Sequence, residues 1–226
     1  TDSEGSEVIS FEIENCNKNL ELIIDPVTRL WGTYYGDAGN DNANSCATDA
    51  AGNVYLLGAT DANTGTVIAT VGAHQTIYGG GAYDAFLVKF NSSGVRQWGT
   101  CYGGSGMDVG YSCATDATGN VYIAGFTNSN TSTLIATSVA HQTVYGGNGD
   151  AFLVKFDASG VRQWGTYYGG TGDETGFSCS TDATGNVFLM GNTSSNTGTV
   201  IATAVAHQTV NGSSGGYDAF VVKFNS

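Results

Sequence analysis

The stretch Val95-Arg96-Gln97-Trp98-Gly99-Thr100-Cys101-Tyr102 decides the fold, because near copies of it recur along the chain. Trp31, Trp98 and Trp164 each begin the phrase Trp-Gly-Thr, at separations of 67 and 66 residues. Self-similarity at a fixed period is typical of repeat architectures, in which each copy forms one supersecondary unit. The sequence therefore predicts a threefold internal repeat.

Other residues keep the same spacing, so the repeat extends over most of the 226 residues. Two sets keep the separations of 67 and 66 residues: His74, His141 and His207; and Cys46, Cys113 and Cys179. A third set, Asp84, Asp150 and Asp218, recurs at 66 and 68 residues, and each member begins Asp-Ala-Phe. We place the repeats at residues 30–226, with approximate bounds of 30–96, 97–162 and 163–226. Residues 1–29 precede them as a separate leader.

Each copy contains four strand-like runs in which aromatic and β-branched residues partly alternate with others. In the central copy the runs are 95–102, 111–116, 121–126 and 151–156. Asp116-Ala117-Thr118-Gly119-Asn120 predicts a hairpin, because Asp initiates turns and Gly accepts a positive φ. The same turn is expected at 49–53 and 182–186, and a second hairpin at 91–94 and 157–160.

Four short antiparallel strands per repeat are the plan of a propeller blade. We predict an all-β fold of three repeated four-stranded antiparallel propeller-type blades, preceded by a short β-hairpin leader. The repeat is longer than the about 40–50 residues of common blades. A long link before the fourth run, about 127–149 in the central copy, accounts for the excess. A stacked β-solenoid is the rival architecture, but its coils are usually shorter and lack two hairpins per repeat.

The leader over residues 1–29 has its own alternating pattern, which predicts a β-hairpin or the end of a preceding domain. Its alternating apolar residues are Ile9, Phe11, Ile13, Leu20, Leu22 and Ile24. A two-stranded hairpin is marginal alone in water and must pack on something else.

Three phrases resemble the bacterial β-propeller repeat family called SBBP, and they occur in the family's order. They are Trp-Gly-Thr-Tyr-Tyr-Gly-Gly-Thr-Gly-Asp (164–173), Thr-Asp-Ala-Thr-Gly-Asn-Val-Tyr (115–122) and Asp-Ala-Phe-Leu-Val-Lys-Phe (84–90). The resemblance implies a large extracellular or cell-surface protein of the kind found in Bacteroidetes and exported by the type IX route. It also implies scaffold and binding modules, and it supplies no catalytic motif.

The charge balance excludes several function classes. Twenty acidic residues against seven basic ones give a formal net charge of −13. Such a chain cannot neutralise a run of phosphates, which argues against nucleic acid as a partner, and it is repelled by anionic membranes. No stretch approaches the roughly 18 apolar residues of a membrane span. We therefore expect neither nucleic-acid binding nor membrane insertion.

The three histidines invite the hypothesis of a metal site, but equivalent positions in successive blades lie too far apart for one. Zinc requires all its ligands within ~2.1 Å of one point. We predict packing or hydrogen-bonding roles for the histidines and no metal site. Residues 36–42 and 173–174 form acidic loops that could bind calcium through oxygen ligands, although no copy matches the EF-hand spacing. We interpret these loops as solvated turns.

The remaining repeated residues also point to structural roles. Asp84, Asp150 and Asp218 are expected to cap a strand or bond to a neighbouring turn. Cys46, Cys113 and Cys179 are expected as buried free thiols, too far apart for the Cα separation of a disulfide, ~4.4–6.8 Å. The pairing of Cys16 and Cys101 is left open.

No nucleophile elbow, phosphate loop or Cys-x-x-Cys motif occurs, so we predict no catalytic, cofactor-binding or metal-binding residues and no enzyme. Five tyrosines lie beside the tryptophans: Tyr34, Tyr35, Tyr102, Tyr167 and Tyr168. We expect them to pack between blades. The alternative is an exposed aromatic rim for glycan or protein contact.

Three blades are fewer than the typically four to eight that close a ring. If each blade begins with its cysteine strand, Trp31–Tyr35 belongs to a missing blade and the last blade lacks its fourth strand. We therefore predict a non-enzymatic extracellular or cell-surface β-repeat scaffold, structural or adhesive, that self-assembles through the edges Trp31–Tyr35 and Asp218–Phe224. A filament, a six-bladed ring of two chains, and a fragment with neighbouring domains stay open. The alternative function is a glycan- or protein-binding module of a longer adhesin or secreted protein.

Overall fold

The computed structural model describes residues 28–61, 67–196, 200–213 and 215–225. The predicted leader hairpin and Cys16 lie outside the described residues. The chain divides into two units, Thr1–Leu30 and Trp31–Ser226, and every described strand lies in the second unit. Within the described ranges, no helix is long and apolar enough to cross a membrane.

The described residues form three antiparallel sheets and almost no helix, which confirms the all-β prediction. The first sheet contains β1 (Asp41–Thr48), β2 (Val54–Thr60), β3 (Asp84–Phe90) and β4 (Arg96–Tyr102). The second contains β5 (Asp108–Thr115), β6 (Val121–Thr127), β7 (Asp150–Phe156) and β8 (Arg162–Tyr168). The third contains β9 (Glu174–Thr181), β10 (Val187–Thr193) and β11 (Asp218–Phe224), and the single helical turn α1 spans Ser132–Ile135.

Each sheet is a meander whose strands pair with their neighbours in sequence. The predicted turn joins its first two strands. In the second sheet, Asp116 Oδ1 accepts the backbone N–H of Thr118 at 2.9 Å and that of Asn120 at 3.0 Å. Gly119 adopts φ +83°, where a residue with a Cβ is strained. The predicted hairpins are therefore confirmed, including the second one that joins β3 to β4 and β7 to β8.

The grouping of strands agrees with blades that begin with their cysteine strands and corrects the expectation of four strands in every repeat. Each sheet starts with its cysteine strand, so the Trp-Gly-Thr strand completes the sheet of the preceding copy. The third sheet consequently has three described strands, where four were predicted. Residues 31–35 form no strand, because no strand of a preceding sheet lies beside them in the described structure to satisfy their backbone groups.

The three sheets stack face to face. Leu57 and Leu87 of the first sheet share one buried cluster with Ile123 and Val154 of the second. The opposite face of the second sheet packs on the third in the same way, with Ala124, Leu153 and Leu189 among its members. Successive side chains of a strand point to opposite faces. The second sheet is therefore apolar on both faces, which explains why its strands alternate only weakly in sequence.

The long link lies along the outer edge of the fourth strand. In the first repeat, Thr70 N–H donates to Gly99 C=O at 2.8 Å, and Gln75 C=O accepts from Cys101 N–H at 3.0 Å. The equivalent bonds in the second repeat are Thr137 N–H to Gly165 C=O (2.9 Å) and Tyr167 N–H to Gln142 C=O (3.2 Å). Each fourth strand therefore lies in a slot between the third strand and the link.

Candidate functional site: the ends of the sheet stack

The interface between neighbouring sheets occurs twice in the chain with the same contacts. Between the first and second sheets, Cys113 N–H donates to Ser45 Oγ at 3.1 Å, and Thr115 Oγ1 donates to Thr48 C=O at 2.7 Å. The equivalent bonds between the second and third sheets join Cys179 N–H to Ser112 Oγ (3.1 Å) and Thr181 Oγ1 to Thr115 C=O (2.8 Å). The stack thus repeats one mode of contact.

The outward face of the third sheet exposes positions that the other sheets bury. Val221 is 73% exposed, whereas Leu87 and Leu153 at the same repeat position are fully buried. Met190 is 50% exposed, and its equivalent Leu57 is fully buried. We call this face, together with the outer edge of β11, the third-sheet end. It is apolar because its sequence repeats that of faces that are covered by a neighbouring sheet.

The outward face of the first sheet shows the complementary pattern. Cys46 is exposed, whereas Cys113 and Cys179 are each only 7% exposed. Leu56 is half-buried, and its equivalent Ile123 is fully buried. We call this face, together with residues 31–35, the first-sheet end. The two ends carry the two halves of the interface that the chain forms twice internally.

Residues 31–35 already lie against the first sheet in the manner of a fourth strand. Trp31 Nε1 donates to Ser92 C=O at 3.2 Å, and the Tyr35 hydroxyl donates to Ile68 C=O. The equivalent bonds from β4 to the second sheet are Trp98 Nε1 to Ala158 C=O (3.1 Å) and the Tyr102 hydroxyl to Ile135 C=O. The segment therefore occupies the place that the last strand of a preceding sheet would take.

A groove lies beside β11, where the first two repeats hold their fourth strands. It has a volume of about 540 Å³ and is bounded on one side by β11 and on the other by the link residues 201–211. Both apolar side chains, such as Ile201 and Phe220, and polar ones, such as Gln208, line it. The groove is thus the third repeat's version of the slot that holds β4 and β8.

A pair of buried carboxyl groups faces each other across each internal interface. Asp84 begins β3, Asp108 begins β5, and both are fully buried. A Cβ placed on Gly103 would lie 2.6 Å from Asp84 Oδ1 and 2.8 Å from Asp108 Oδ2, so Gly103 separates the two groups. Burial raises the pKa of Asp84 to about 7; the bond from Gly79 lowers it, and the charge of Asp108 raises it further. Asp84 Oδ1 has no hydrogen-bond partner in the described structure, which suits a carboxyl that holds a proton.

The second interface repeats this pair with Asp150 and Glu174, both fully buried. Gly169 separates them, and burial raises the pKa of Asp150 to about 7. Glu174, predicted in a solvated turn, instead begins β9 at this interface. This prediction was wrong because the turn packs against the preceding sheet. Asp41, Asp108 and Glu174 keep the repeat spacing, a signal that could have revealed the pairs in the sequence.

Among the described residues, the third member of the aspartate series has no acidic neighbour of this kind. Asp218 Oδ2 accepts the backbone N–H of Gly212 at 2.7 Å, and Oδ1 accepts the Ser213 hydroxyl at 2.7 Å. These bonds lower the pKa of Asp218. Asp84 and Asp150 likewise bond to the turn before their strands, through Gly79 N–H (2.7 Å) and Gly146 N–H (3.0 Å). The predicted bond to a neighbouring turn is therefore confirmed at all three positions.

His74 and His141 each pack against aromatic rings of two neighbouring sheets. The His74 ring lies 5.9 Å from the centroids of Tyr102 and Phe156, and His141 lies 5.5 Å from Phe224. Burial lowers the pKa of His74 to about 4. His207 is exposed, because in the described structure no further sheet covers it. Among the described residues, no group of three or more His, Cys, Asp or Glu side chains is placed to hold a metal ion.

The cysteine prediction holds at two of the three repeat positions. Cys113 and Cys179 are buried free thiols, and burial raises the pKa of Cys113 to about 11. Cys46 is also free but exposed, because no sheet stacks on it in the described structure. Cys101 is a buried free thiol, which answers the question that the sequence left open for it.

The tyrosines pack between sheets, as expected, except at the first-sheet end. Tyr102 and Tyr167 are fully buried, and Tyr168 is nearly so. Tyr34 is fully exposed, although its equivalent Tyr167 is fully buried. The alternative of an exposed aromatic rim is therefore wrong for the buried tyrosines.

Comparison with known proteins adds no assignment to these end surfaces. No protein-family model matches the chain, and no curated protein matches it either. The interpretation of the site therefore depends on the repeat itself. The two complete internal interfaces show which contacts the equivalent residues make where a neighbouring sheet is present in the described structure.

Proposed function

We propose that this chain is a non-enzymatic scaffold of SBBP-type propeller blades, outside the cell or on its surface, whose copies join end to end. The sequence motifs and the three stacked antiparallel sheets support the propeller-type interpretation. The proposed location outside the cell or on its surface depends on the resemblance to SBBP repeats. The proposed structural role depends on the two end surfaces.

One observation carries the proposal: each end exposes one half of an interface that the chain forms twice internally. Val221 and Met190 at the third-sheet end occupy positions that the other sheets bury, and so does Cys46 at the first-sheet end. Burial of apolar area contributes about 25 cal/mol per Å², so covering both faces favours association. A second copy supplies the matching half without any change of shape.

The contact between copies is heterologous, because the third-sheet end of one copy meets the first-sheet end of the next. Such a contact repeats indefinitely unless the rotation between copies closes a ring. We infer an open row of copies, in which every sheet has a neighbour on both faces. The function of the protein is then structural, and it is performed by the row of joined copies.

At the two internal interfaces, the repeated side chains that could perform chemistry are used in packing, which supports the non-enzymatic interpretation. His74 packs on aromatic rings, and Cys113 and Cys179 bond to serines of the neighbouring sheet. The buried carboxyl pairs are enclosed between sheets and do not reach solvent. Within the described ranges these groups have no route to a substrate.

The test is the solution mass of the full chain, measured by light scattering over a concentration series. We expect mass that rises with concentration. Val221→Glu places a charge on the third-sheet end, where the side chain is 73% exposed, and we expect it to keep the chain monomeric. Val205→Glu is the matched control. Val205 is 95% exposed and its equivalent Val139 is 91% exposed, so this position lies outside the contacts between sheets.

The possible results distinguish end-to-end association from other behaviour of the chain. Association that Val221→Glu abolishes and Val205→Glu leaves unchanged supports the proposal. A chain that stays monomeric at every concentration contradicts it, as does association that both variants weaken equally.

A further inference from the structure

The slot that holds a fourth strand has the same two walls in the first and second repeats. In the second repeat, β7 pairs with β8 in the register Lys155 to Trp164, Val154 to Gly165, Leu153 to Thr166, Phe152 to Tyr167 and Ala151 to Tyr168. The link closes the other side through Thr137 N–H and Gln142 C=O. The strand thus gains backbone hydrogen bonds on both edges.

The groove of the third repeat offers the same walls. Thr203 and Gln208 in its link correspond to Thr137 and Gln142, and β11 corresponds to β7. Among the described residues, neither Thr203 N–H nor Gln208 C=O has a hydrogen-bond partner. Val221 is 73% exposed where Leu153 is fully buried. Both the polar and the apolar complements of a strand are therefore present beside β11.

The first-sheet end carries a segment with the sequence of that strand. Residues 31–35 are Trp-Gly-Thr-Tyr-Tyr, identical to residues 164–168 of β8. Thr33 Oγ1 donates to Tyr34 C=O at 2.8 Å, and the same local bond joins Thr166 to Tyr167 at 2.8 Å. The segment therefore already has the local geometry of the strand that it would become.

The segment also presents the correct side to a partner. Trp31 and Tyr35 hold it against its own first sheet, but it makes no backbone–backbone hydrogen bond to another described residue. Tyr34 is fully exposed, whereas its equivalent Tyr167 is fully buried in the slot. One side of the segment is docked, and the edge that pairs in β8 is uncovered.

We propose that the groove beside β11 receives residues Trp31–Tyr35 of a second copy as its fourth strand. This inference rests on the proposed end-to-end association and names the segment that joins the copies. The donated strand runs antiparallel to β11, with Trp31 opposite Lys223, Thr33 opposite Val221 and Tyr35 opposite Ala219. Tyr34 N–H bonds to Gln208 C=O, and Thr203 N–H bonds to Gly32 C=O.

Strand addition to a sheet edge takes its affinity from main-chain hydrogen bonds and its specificity from side-chain pockets. The groove beside β11 has the pockets that are equivalent to those of Thr166 and Tyr167 in the second repeat. A Trp-Gly-Thr-Tyr-Tyr strand therefore matches them. Residues 31–35 stay docked on their own sheet through Trp31 and Tyr35. The conformational entropy lost on binding is small, because the segment does not have to detach or refold.

The first experiment uses the full chain carrying Tyr34→Asp, which disables the donor and leaves the groove intact. Tyr34 is fully exposed, so the variant folds normally. Its probe is a synthetic peptide of residues 160–169, Gly-Val-Arg-Gln-Trp-Gly-Thr-Tyr-Tyr-Gly. We expect saturable binding of one peptide per chain, with slower amide hydrogen exchange in β11 and in residues 200–208. The control peptide carries Tyr167→Pro, which removes the N–H that meets Gln208 C=O.

The second experiment measures self-association of the variants without peptide. We expect Tyr34→Asp to weaken association about tenfold or more, a difference of ~1.4 kcal/mol. Ile77→Asp is the matched control, because Ile77 and its equivalents Val144 and Val210 are exposed in all three repeats. We expect it to leave association unchanged.

Each outcome decides one of the two proposals. Peptide binding together with loss of association in Tyr34→Asp supports strand donation. Association without peptide binding overturns strand donation but leaves end-to-end stacking intact. Peptide binding to a chain that never associates shows a strand-accepting groove and overturns the second copy as its occupant.

Discussion

Asp84, Asp150 and Asp218 begin the same strand of three successive repeats, yet their carboxyl groups differ. Asp84 and Asp150 are fully buried beside an acidic group of the next sheet, and burial raises the pKa of each to about 7. Asp218 is more exposed, and hydrogen bonds from Gly212 and Ser213 lower its pKa. The neighbouring sheet, and not the local sequence, therefore sets the charge at this position.

Asp84→Asn tests whether the buried carboxyl holds a proton. A folded-state pKa above the unfolded value means that the stabilisation is complete below the unfolded pKa of 3.8 and is lost progressively as the pH rises from there to about 7. Asparagine keeps the neutral shape at every pH. We expect the variant to be more stable than the parent chain at about pH 8, with a difference that shrinks as the pH falls and disappears below about pH 4, measured as free energies of urea unfolding.

Asp218→Asn is the matched control with the opposite sign. The pKa of Asp218 is lowered, so its carboxylate stabilises the fold above the unfolded pKa and loses this contribution as the pH falls. We expect this variant to be slightly less stable than the parent chain at about pH 8. A common pH response in both variants would contradict the assignment of a proton to the buried Asp84 carboxyl.

The cysteines give a second test at the residue scale. Cys46 is exposed, whereas Cys113 and Cys179 are buried, and burial raises the pKa of Cys179 to about 12. The thiolate is the reactive form, so buried thiols react slowly. We expect a maleimide reagent to label Cys46 in the folded chain, and Cys113 and Cys179 only after unfolding, as measured by peptide mass mapping. Equal labelling of all three would contradict the stacking of the sheets.

At the scale of elements, the outer hairpins also serve as contacts between sheets. Gly160, in the turn between β7 and β8, adopts φ +84°, and a Cβ there would lie 2.8 Å from the Trp98 ring of the first sheet. Gly94 faces Trp31 in the same way. Glycine is therefore required at position 160 for two reasons: the backbone of the turn is left-handed, and an indole ring lies too close for a Cβ.

Gly160→Ala separates these two demands when it is compared with Gly72→Ala. Gly72 has φ +82°, but nothing lies within 4 Å of its Cβ position, so its substitution adds only backbone strain of about 1–2 kcal/mol. Gly160→Ala adds the clash with the rigid Trp98 ring. We expect a larger loss in the free energy of unfolding for Gly160→Ala, measured by urea denaturation. Equal losses would show that the indole moves aside without cost.

At the scale of the whole molecule, the carboxyl pairs predict how association responds to pH. Asp41 holds the repeat position of Asp108 and Glu174, so stacking of two copies brings Asp218 of one against Asp41 of the next. Burial of two facing carboxyl groups favours uptake of one proton. The association of copies should therefore tighten as the pH falls from about 8 to about 5, as measured by light scattering.

Asp218→Asn supplies the control for this prediction, because an amide replaces the protonated carboxyl at every pH. We expect the variant to associate with little dependence on pH over the same range. Association that weakens as the pH falls would contradict a shared proton at the contact between copies.

The sequence by itself determined the elements and their turns. The run from Asp116 to Asn120 forms the predicted hairpin because its hydrogen bonds are local and Gly119 supplies the positive φ. The repeat also predicted which residues are equivalent and that the last sheet could lack a strand. These properties depend on residues close together in the chain, so the local pattern is sufficient to predict them.

Which of the equivalent residues are covered depends on the packing of the sheets. Cys46 and Cys113 occupy the same strand position, but one is exposed and the other buried, and Glu174 of an apparent loop lies in an interface. Burial depends on what lies on the other side of a sheet, and in this chain that neighbour is 66 or 67 residues away. The groove beside β11 follows from the same cause, since its walls are formed in the third repeat, while Trp31–Tyr35, the segment that we propose for it, lies at the opposite end of the stack.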